Sequence, residues 1–230
     1  DPANPDQKMN FVATCQVYGG TFQQFAIRKE QERNIEWRKV INSADLHEWE
    51  SLIDDNTRFL YGEMPSNPGQ AFFDLEKLCQ LGEKYNLPVI IDATVATPAL
   101  MRPLAYGADI VVQSVTKSLS TSGFGIGGAV IARKNIRARV GSDEMKADFA
   151  MYLKTLPNRD NGPNISPMNA ILAVNDIRTI RSRMDRLSRT TMKVAKFLQE
   201  HKHIEPVDYL GLESHPLPEL AKKSLVLVDS

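Results

Sequence analysis

One lysine stands in a setting where it could do chemistry. The apolar run at residues 110–112 predicts a buried strand, and Ser114, Thr116 and Lys117 follow it closely. A lysine near the end of a buried strand is costly unless it has a function, so we expect Lys117 to be partly buried, which would favour its neutral amine. A neutral amine can form a Schiff base with an aldehyde, and the two neighbouring hydroxyls suit a phosphate group.

A carboxylate ends the apolar strand that precedes this one. Residues 87–94 predict that strand, and Asp92 lies near its end. Because the carboxyl ends of parallel strands meet at one edge of a sheet, we expect Asp92 and Lys117 to emerge together. The pair suits pyridoxal 5'-phosphate (PLP). Its aldehyde would form a Schiff base with Lys117. The carboxylate of Asp92 would keep the pyridine nitrogen protonated so that the ring can act as an electron sink.

Alternating strands and helices must place these residues. Strands are predicted at residues 11–16, 35–41 (an edge strand), 58–61, 87–94, 110–112 and 127–132. Helices are predicted at residues 21–29, from an N-cap at Ser43 to residue 53, after an N-cap at Asp74, after Pro98, and from Ser166 and Pro167 to about residue 200. This alternation indicates an α/β fold with a parallel sheet and helices on both faces.

The composition is typical of a soluble globular protein. The 230 residues are 42% hydrophobic and carry 28 basic and 28 acidic side chains, which argues against nucleic-acid binding through charge. No apolar run reaches the roughly 20 residues of a membrane span, and no signal peptide is recognised at the start. Cys15 and Cys79 are expected to be reduced thiols of a cytoplasmic protein, and the four histidines lack metal-binding spacing.

Five segments together resemble one family of enzymes. They are Val17-Tyr18-Gly19-Gly20-Thr21, Gly62-Glu63-Met64-Pro65-Ser66-Asn67-Pro68, Ile91-Asp92-Ala93-Thr94-Val95-Ala96-Thr97-Pro98, Ser114-Val115-Thr116-Lys117 and Tyr209-Leu210-Gly211-Leu212-Glu213-Ser214-His215-Pro216. On these segments, in this order, the chain resembles the PLP-dependent enzymes of cysteine and methionine metabolism. This family includes cystathionine synthases and lyases, methionine lyase and O-acylhomoserine sulfhydrylases.

The resemblance implies a role for each candidate site residue. Lys117 would carry the cofactor and move protons between substrate carbons, and Asp92 would partner the pyridine nitrogen. Ser114 and Thr116 would bind the phosphate. For both hydroxyls the alternative is an ordinary small or β-branched residue at a strand end.

Two further residues take their roles from the same resemblance. Tyr18 would stack on the cofactor ring and act as an acid or base near the leaving group. Asn67 would hydrogen-bond the ring hydroxyl of the cofactor. The alternatives are a half-buried tyrosine at a strand end and an Asn-Pro turn. Glu63 would be an outer partner of the site or simply an acidic loop residue.

The resemblance also implies the organisation of the protein. Residues 1–165 would form an aspartate-aminotransferase-like large domain, a three-layer α/β/α structure with a mainly parallel sheet. Residues 166–230 would form a long helix and a connection toward a small C-terminal domain. The family's phosphate-binding helix, introduced by Ser-Gly-Met, has no counterpart here, so we expect this chain to be the core of a larger one. A neighbouring subunit completes the family's phosphate site, which implies a homodimer or homotetramer.

The implied reaction is γ-replacement on O-acetyl- or O-succinyl-L-homoserine, with sulfide or a thiol as the incoming nucleophile. The sequence leaves open a carbon–sulfur γ-lyase acting on methionine or cystathionine. It also leaves open an inactive homologue kept for assembly, because residues 118–122 replace the aromatic residue and the Gly-Gly-His that usually follow the lysine.

Overall fold

A single mixed sheet organises the chain, and the computed structural model describes residues 8–121, 123 and 125–226. The strands in this part are β1 Asn10–Thr14, β2 Glu36–Val40, β3 Thr57–Glu63, β4 Val89–Asp92, β5 Ile110–Ser114 and β6 Gly128–Ala132. Their order in the sheet is β2-β1-β3-β4-β5-β6. The first five pair in parallel, whereas β6 runs antiparallel to β5. The predicted α/β fold with a mainly parallel sheet is therefore confirmed, with β2 at an edge as expected.

Helices connect the strands and cover both faces of the sheet. Along the described chain they are α1 Gly19–Gln23, which continues in wider turns over Gln24–Gln31, α2 Leu46–Ser51, α3 Leu75–Lys84, α4 Thr97–Leu100, α5 Asp143–Ala147, α6 Phe149–Leu153, α7 Arg159–Asn161, α8 Pro167–Ile177, α9 Ile180–Gln199 and α10 Pro218–Ser224. Within this described part, no helix combines the length and the apolar composition needed to cross a bilayer.

Two apolar clusters, one on each face, hold the layers together. The larger packs α2, α3 and α10 on the sheet and includes the fully buried Trp49, Leu78 and Ile91. The smaller is aromatic and centres on Phe11, which stacks on Phe59 at 4.8 Å. Burial of such side chains stabilises the fold by about 1.5–3 kcal/mol each.

A buried ion pair closes the amino end of β4 and β5. The Asp109 carboxylate is inaccessible to solvent and lies 2.7 Å from the Arg137 guanidinium. It also accepts a hydrogen bond from the Val89 backbone N–H at 2.9 Å. Arg137 donates further bonds to the backbone carbonyls of Cys79 and Gly107. Every polar group of this pair is satisfied, as a buried charge requires.

The predicted start of α2 is wrong. Ser43 is not the N-cap, because Asp45 takes that place and its side chain accepts the His47 N–H at 2.9 Å. Ser43 is buried, and its carbonyl oxygen accepts a bond from the Trp49 indole at 3.0 Å.

The single long helix predicted from Pro167 is two helices. Its N-cap, Ser166, is confirmed by the bond that its hydroxyl accepts from Asn169 N–H at 3.2 Å. The helix then breaks at Arg178 and Thr179, whose N–H groups bond to carbonyls only three residues back. The tighter turn ends α8, and α9 begins directly after it.

Candidate active site

Three polar side chains follow the apolar part of three adjacent strands on one face of the sheet. Glu63 lies opposite Asp92, and Asp92 lies opposite Val112, two residues before Ser114. Because side chains alternate between faces, each polar residue shares a face with the residue two positions earlier. Those earlier residues all belong to the aromatic cluster: they are Tyr61, Ile90 and Val112. Glu63, Asp92 and Ser114 are thus brought to one edge, as the sequence predicted for Asp92.

Hydrogen bonds fix the orientation of Asp92. The Tyr61 hydroxyl donates to its carboxylate and accepts from Thr21. The Thr94 N–H donates to Asp92 Oδ1 at 2.9 Å. Burial, followed by the charges of Asp92 and Glu63, raises the pKa of Tyr61 far above its ordinary value, so the phenol stays protonated and keeps donating.

Thr94 also ties the two central strands of the site together. Its hydroxyl oxygen accepts a hydrogen bond from the Ser114 backbone N–H at 2.9 Å. The position of Ser114 relative to Asp92 is therefore set by a specific contact as well as by the sheet. The Ser114 hydroxyl itself has no side-chain hydrogen bond in the part of the chain that the structure describes, which leaves it able to bind a ligand.

Glu63 joins the two loops that carry Tyr18 and Asn67. Its carboxylate accepts the backbone N–H of Tyr18 at 2.7 Å and that of Asn67 at 2.9 Å. The side chain of Glu63 is buried, and this burial raises the pKa of its carboxyl group against the opposing effect of the two bonds. Tyr18 is half exposed and Asn67 is exposed, so both remain accessible beside Asp92.

Lys117 lies in a wide helical turn, Val115–Leu119, directly after β5. Its side chain is exposed within the described part of the chain, so the expected partial burial is wrong. The reason lies in the backbone: β5 continues to Ser114, beyond the predicted apolar run, and Lys117 then breaks the turn with φ −88° and ψ −132°. The amine therefore emerges at the carboxyl edge without an intramolecular ion pair in the described chain.

Thr116 is already engaged by the loop that returns to β6. Its hydroxyl accepts the Gly127 N–H at 3.0 Å and donates to the Gly127 carbonyl oxygen at 3.3 Å. A hydroxyl has one proton to donate, so this contact competes with a phosphate for it. The structure places Thr116 beside Lys117 as a support of the backbone, whereas Ser114 keeps its hydroxyl.

The sequence alone pointed to no role for Tyr61 and left the role of Glu63 open. Both lie on β3, and the two-residue alternation that puts Asp92 on the site face does the same for them. The signal available in the sequence was the pair of polar side chains two positions apart, Tyr61 and Glu63, ending a strand next to that of Asp92.

A cleft of about 420 Å³ lies elsewhere, at the amino edge of the sheet. It is lined by residues that include Glu76, Cys79, Gly107 and Arg137. Arg137 already binds Asp109 and two carbonyls there, so the cleft surrounds a structural ion pair and is separate from the candidate site.

Known proteins resemble this chain over nearly its whole length. The family model of the Cys/Met metabolism PLP-dependent enzymes matches residues 6–228. The O-acetyl-L-homoserine sulfhydrylase of Corynebacterium glutamicum is 31% identical over 229 residues, covering 90% of this chain and 52% of that protein. The O-succinylhomoserine sulfhydrylase of Pseudomonas aeruginosa is 35% identical (93% and 47% covered), and the L-methionine gamma-lyase of Porphyromonas gingivalis is 34% identical (95% and 51% covered). The chain thus spans about half the length of these relatives.

Solved structures share the fold. A Campylobacter jejuni protein that contains N'-pyridoxyl-lysine-5'-monophosphate superposes with a TM-score of 0.86 at 31% identity, covering 94% of this chain and 58% of that one. The cystathionine gamma-lyase of Lactobacillus plantarum, in complex with L-serine, gives 0.83 at 25% identity, with 94% and 53% covered.

Proposed function

Because the chain belongs to the family of PLP-dependent enzymes of cysteine and methionine metabolism, we propose that it is an O-acylhomoserine sulfhydrylase. The reaction replaces the acyloxy group of O-acetyl- or O-succinyl-L-homoserine by sulfide or a thiol. A carbon–sulfur bond forms at the γ-carbon, and the bond between the γ-carbon and the ester oxygen breaks, so that acetate or succinate leaves. One observation carries the proposal: Asp92, Ser114 and Lys117 meet at one sheet edge in a chain that resembles two sulfhydrylases.

The residues at this edge fit the cofactor. Asp92 offers a fixed carboxylate for a protonated pyridine nitrogen. Ser114 is held by its backbone N–H and offers its hydroxyl to the phosphate. A Cβ atom at Gly20 would lie 2.9 Å from the Tyr18 ring, so glycine there lets the ring lie against the backbone beside the site. Asn67 would approach the ring hydroxyl, and Thr116 would support the phosphate side through the backbone.

The chemistry divides between the cofactor and the chain. When bound, PLP supplies an aldehyde for the amine and an electron sink for the substrate carbanion. Lys117 binds the cofactor and, once its amine is released, takes and returns protons on the substrate carbons. Tyr18 would protonate the departing acyl oxygen, and Tyr61 holds Asp92 in place by its hydroxyl hydrogen bond.

Reductive trapping tests this site. Borohydride treatment of the purified protein with PLP should fix the cofactor on the peptide that contains Lys117, read by mass spectrometry. The variant Lys117→Ala should lose the label, and Lys117→Arg should lose turnover because a guanidinium stays protonated. The control Lys154→Ala removes an exposed lysine and should keep both. A label on any other lysine, or no label with excess PLP, would overturn the proposal.

A carbon–sulfur γ-lyase is the second candidate. The observation in its favour is the 34% sequence identity to an L-methionine gamma-lyase, which is close to the 35% identity to the O-succinylhomoserine sulfhydrylase. Two parallel assays separate them. A sulfhydrylase consumes acylhomoserine only when sulfide or a thiol is present, whereas a lyase releases a 2-oxo acid from methionine or cystathionine alone. A protein that takes the label on Lys117 but fails both assays would support the inactive homologue.

The assembly and the surroundings of the protein are proposed on the same basis. A homodimer or homotetramer would complete the phosphate side of the pocket, and a two-fold interface is the commonest arrangement. Light scattering of the active protein tests this, and an active monomer would contradict it.

Residues 1–165 would form the PLP-binding domain, and residues 166–230 the connection to a small domain. Both cysteines are free, which supports a reducing compartment such as the cytoplasm.

A further inference from the structure

The segment after Lys117 is held by two helices that come much later in the chain. Asp176, near the end of α8, accepts the backbone N–H of Thr121 at 2.6 Å and the hydroxyl of Ser120 at 3.2 Å. Arg183, in the first turn of α9, donates to the Ser118 carbonyl oxygen at 2.7 Å. The segment 118–121 thus has a polar contact at each end.

Asp176 holds this segment with a carboxylate that is itself buried. It is 8% exposed, and a buried carboxylate is stable only where hydrogen bonds replace water. Two of the bonds that it accepts come from the segment 118–121, so moving this segment would cost the free energy of two hydrogen bonds to a buried carboxylate. That cost ties the position of the segment to the position of α8.

Arg183 connects the two helices to the same segment. Besides Ser118, its guanidinium donates to the Asp176 backbone carbonyl at 3.0 Å and to the Thr179 hydroxyl at 3.1 Å. One planar group therefore bridges the end of α8, the start of α9 and the residue next to Lys117.

Apolar contacts support the same arrangement. Val115 and Leu119, on either side of Lys117 in the chain, form a buried cluster with Ala173 of α8. Asn169, at the start of α8, donates its side-chain N–H to the Ile126 carbonyl oxygen at 3.0 Å, which fixes the far end of the loop. The backbone of Lys117 is thereby held from both sides, while its side chain stays exposed.

We propose that Asp176 and Arg183 are positioning residues that set where the Lys117 amine lies. This inference rests on the proposed function, since it concerns the lysine that would bind the cofactor. Neither residue touches the reacting atoms; both act through residues 118–121. A misplacement of about 1 Å at a reacting group can lower a rate by roughly 100-fold, so a support of this kind is sufficient to matter.

Paired variants test the proposal. Asp176→Ala removes the oxygen that accepts both bonds, whereas Asp176→Asn keeps a carbonyl oxygen for Thr121. Arg183→Met removes every donor, whereas Arg183→Lys keeps one. With limiting PLP, the fraction of Lys117 trapped by borohydride should fall by about 10-fold or more in the Ala and Met variants and be restored in part by Asn and Lys. Backbone hydrogen exchange in the peptide covering residues 113–127 should be faster in Asp176→Ala and Arg183→Met than in Asp176→Asn and Arg183→Lys. This difference should appear with or without PLP.

The controls separate positioning from general loss of stability. Asn175→Ala and Arg186→Met change exposed residues of α8 and α9 and should behave like the wild type. Arg137→Met weakens the fold at the opposite sheet edge. The pH at which the near-visible absorbance of the lysine-bound cofactor changes should shift in Asp176→Ala and Arg183→Met, but not in Arg137→Met.

The outcomes are distinct. A wild-type protein that takes no label on Lys117 contradicts the proposed function itself. A wild type that is labelled, with Asp176→Ala and Arg183→Met matching it in labelling, exchange and absorbance titration, contradicts the positioning role alone. If Asp176→Ala does not fold, the Arg183→Met and Arg183→Lys pair decides by the same three measurements.

Discussion

At the residue scale, two carboxylates of the site are held in different ways. Asp92 is half buried and accepts bonds from the Tyr61 hydroxyl and the Thr94 N–H, which orient it. Glu63 is almost fully buried and accepts two backbone N–H groups from two loops. The first carboxylate is therefore suited to a ligand, and the second to holding the loops that carry Tyr18 and Asn67.

The burial of Glu63 predicts that the free energy of unfolding depends on pH. Burial raises its pKa above the ordinary 4.5, so the folded state binds the proton more tightly than the unfolded state. Binding of this proton therefore stabilises the folded state to the full extent below pH 4.5, the ordinary pKa that applies to the unfolded state. The stabilisation is lost as the pH rises through the folded-state pKa. Glu63→Gln cannot titrate, and it leaves one of the two N–H groups without an acceptor, at a cost of about 1–3 kcal/mol.

Urea unfolding at pH 5, 6, 7 and 8 measures this effect. We expect the free energy of unfolding of Glu63→Gln to lie below that of the wild type at pH 5, and the gap to narrow as the pH rises. A gap that widens with pH would mean that the folded state lowers the pKa of Glu63 instead.

At the element scale, the strands were the most predictable part of the fold. The runs ending at Asp92 and before Ser114 are apolar and continuous, which is typical of strands buried on both faces. The short helices over residues 143–161 were not predicted, because they lack a long apolar period and depend on local caps such as Ser142 and Asp148. The break between α8 and α9 carries no glycine or proline, and it shows only in the backbone bonds of Arg178 and Thr179 to carbonyls three residues back.

Contacts between elements that are distant in the sequence explain why the site was only partly predicted. Lys117 and Asp92 could be found because each follows an apolar strand. Their supports, Asp176 and Arg183, lie more than 50 residues away in the sequence, as the contacts with Thr121 and Ser118 show (sequence separations of 55 and 65). No local pattern encodes such a contact.

The N-cap of α3 gives a prediction for one element. Asp74 accepts the Lys77 N–H at 3.2 Å, as the sequence predicted. Asp74→Ala should lower the free energy of unfolding by about 1 kcal/mol, because one N–H at the helix start loses its acceptor. Asp74→Ser keeps the cap and loses the ion pairs with the exposed Lys77 and Lys223, so it should stay close to the wild type. Equal losses in both variants would assign the stability to the ion pairs.

At the scale of the whole molecule, stability and the proposed chemistry occupy opposite edges of the sheet. Asp109 and Arg137 lock the amino ends of β4 and β5, whereas Asp92, Ser114 and Lys117 follow their carboxyl ends. A substitution at the first edge should therefore change how firmly the protein is folded without changing the site of the folded molecule.

Arg137→Met tests this separation. It leaves the buried Asp109 carboxylate without its main partner, so the free energy of unfolding should fall by about 3–5 kcal/mol. Arg133→Met is the matched control, since Arg133 is exposed and 3.8 Å from the same carboxylate, and it should cost less than about 1 kcal/mol. Below the unfolding transition, borohydride should trap PLP on Lys117 equally in both. A selective loss of trapping in folded Arg137→Met would show that the two edges are coupled.

The strand order has a consequence for the newly made chain on the ribosome. β3 joins the sheet beside β1, and each later strand, from β4 to β6, joins beside the one made just before it. The sheet can therefore grow by one edge in the order of synthesis, without waiting for a distant strand to be inserted. The loop of Lys117 is the exception, because its supports at residues 176 and 183 are translated some 60 residues later. During that interval the sheet edge can be complete while the lysine is still free to move, so the competence to hold a cofactor is the last property that this region acquires.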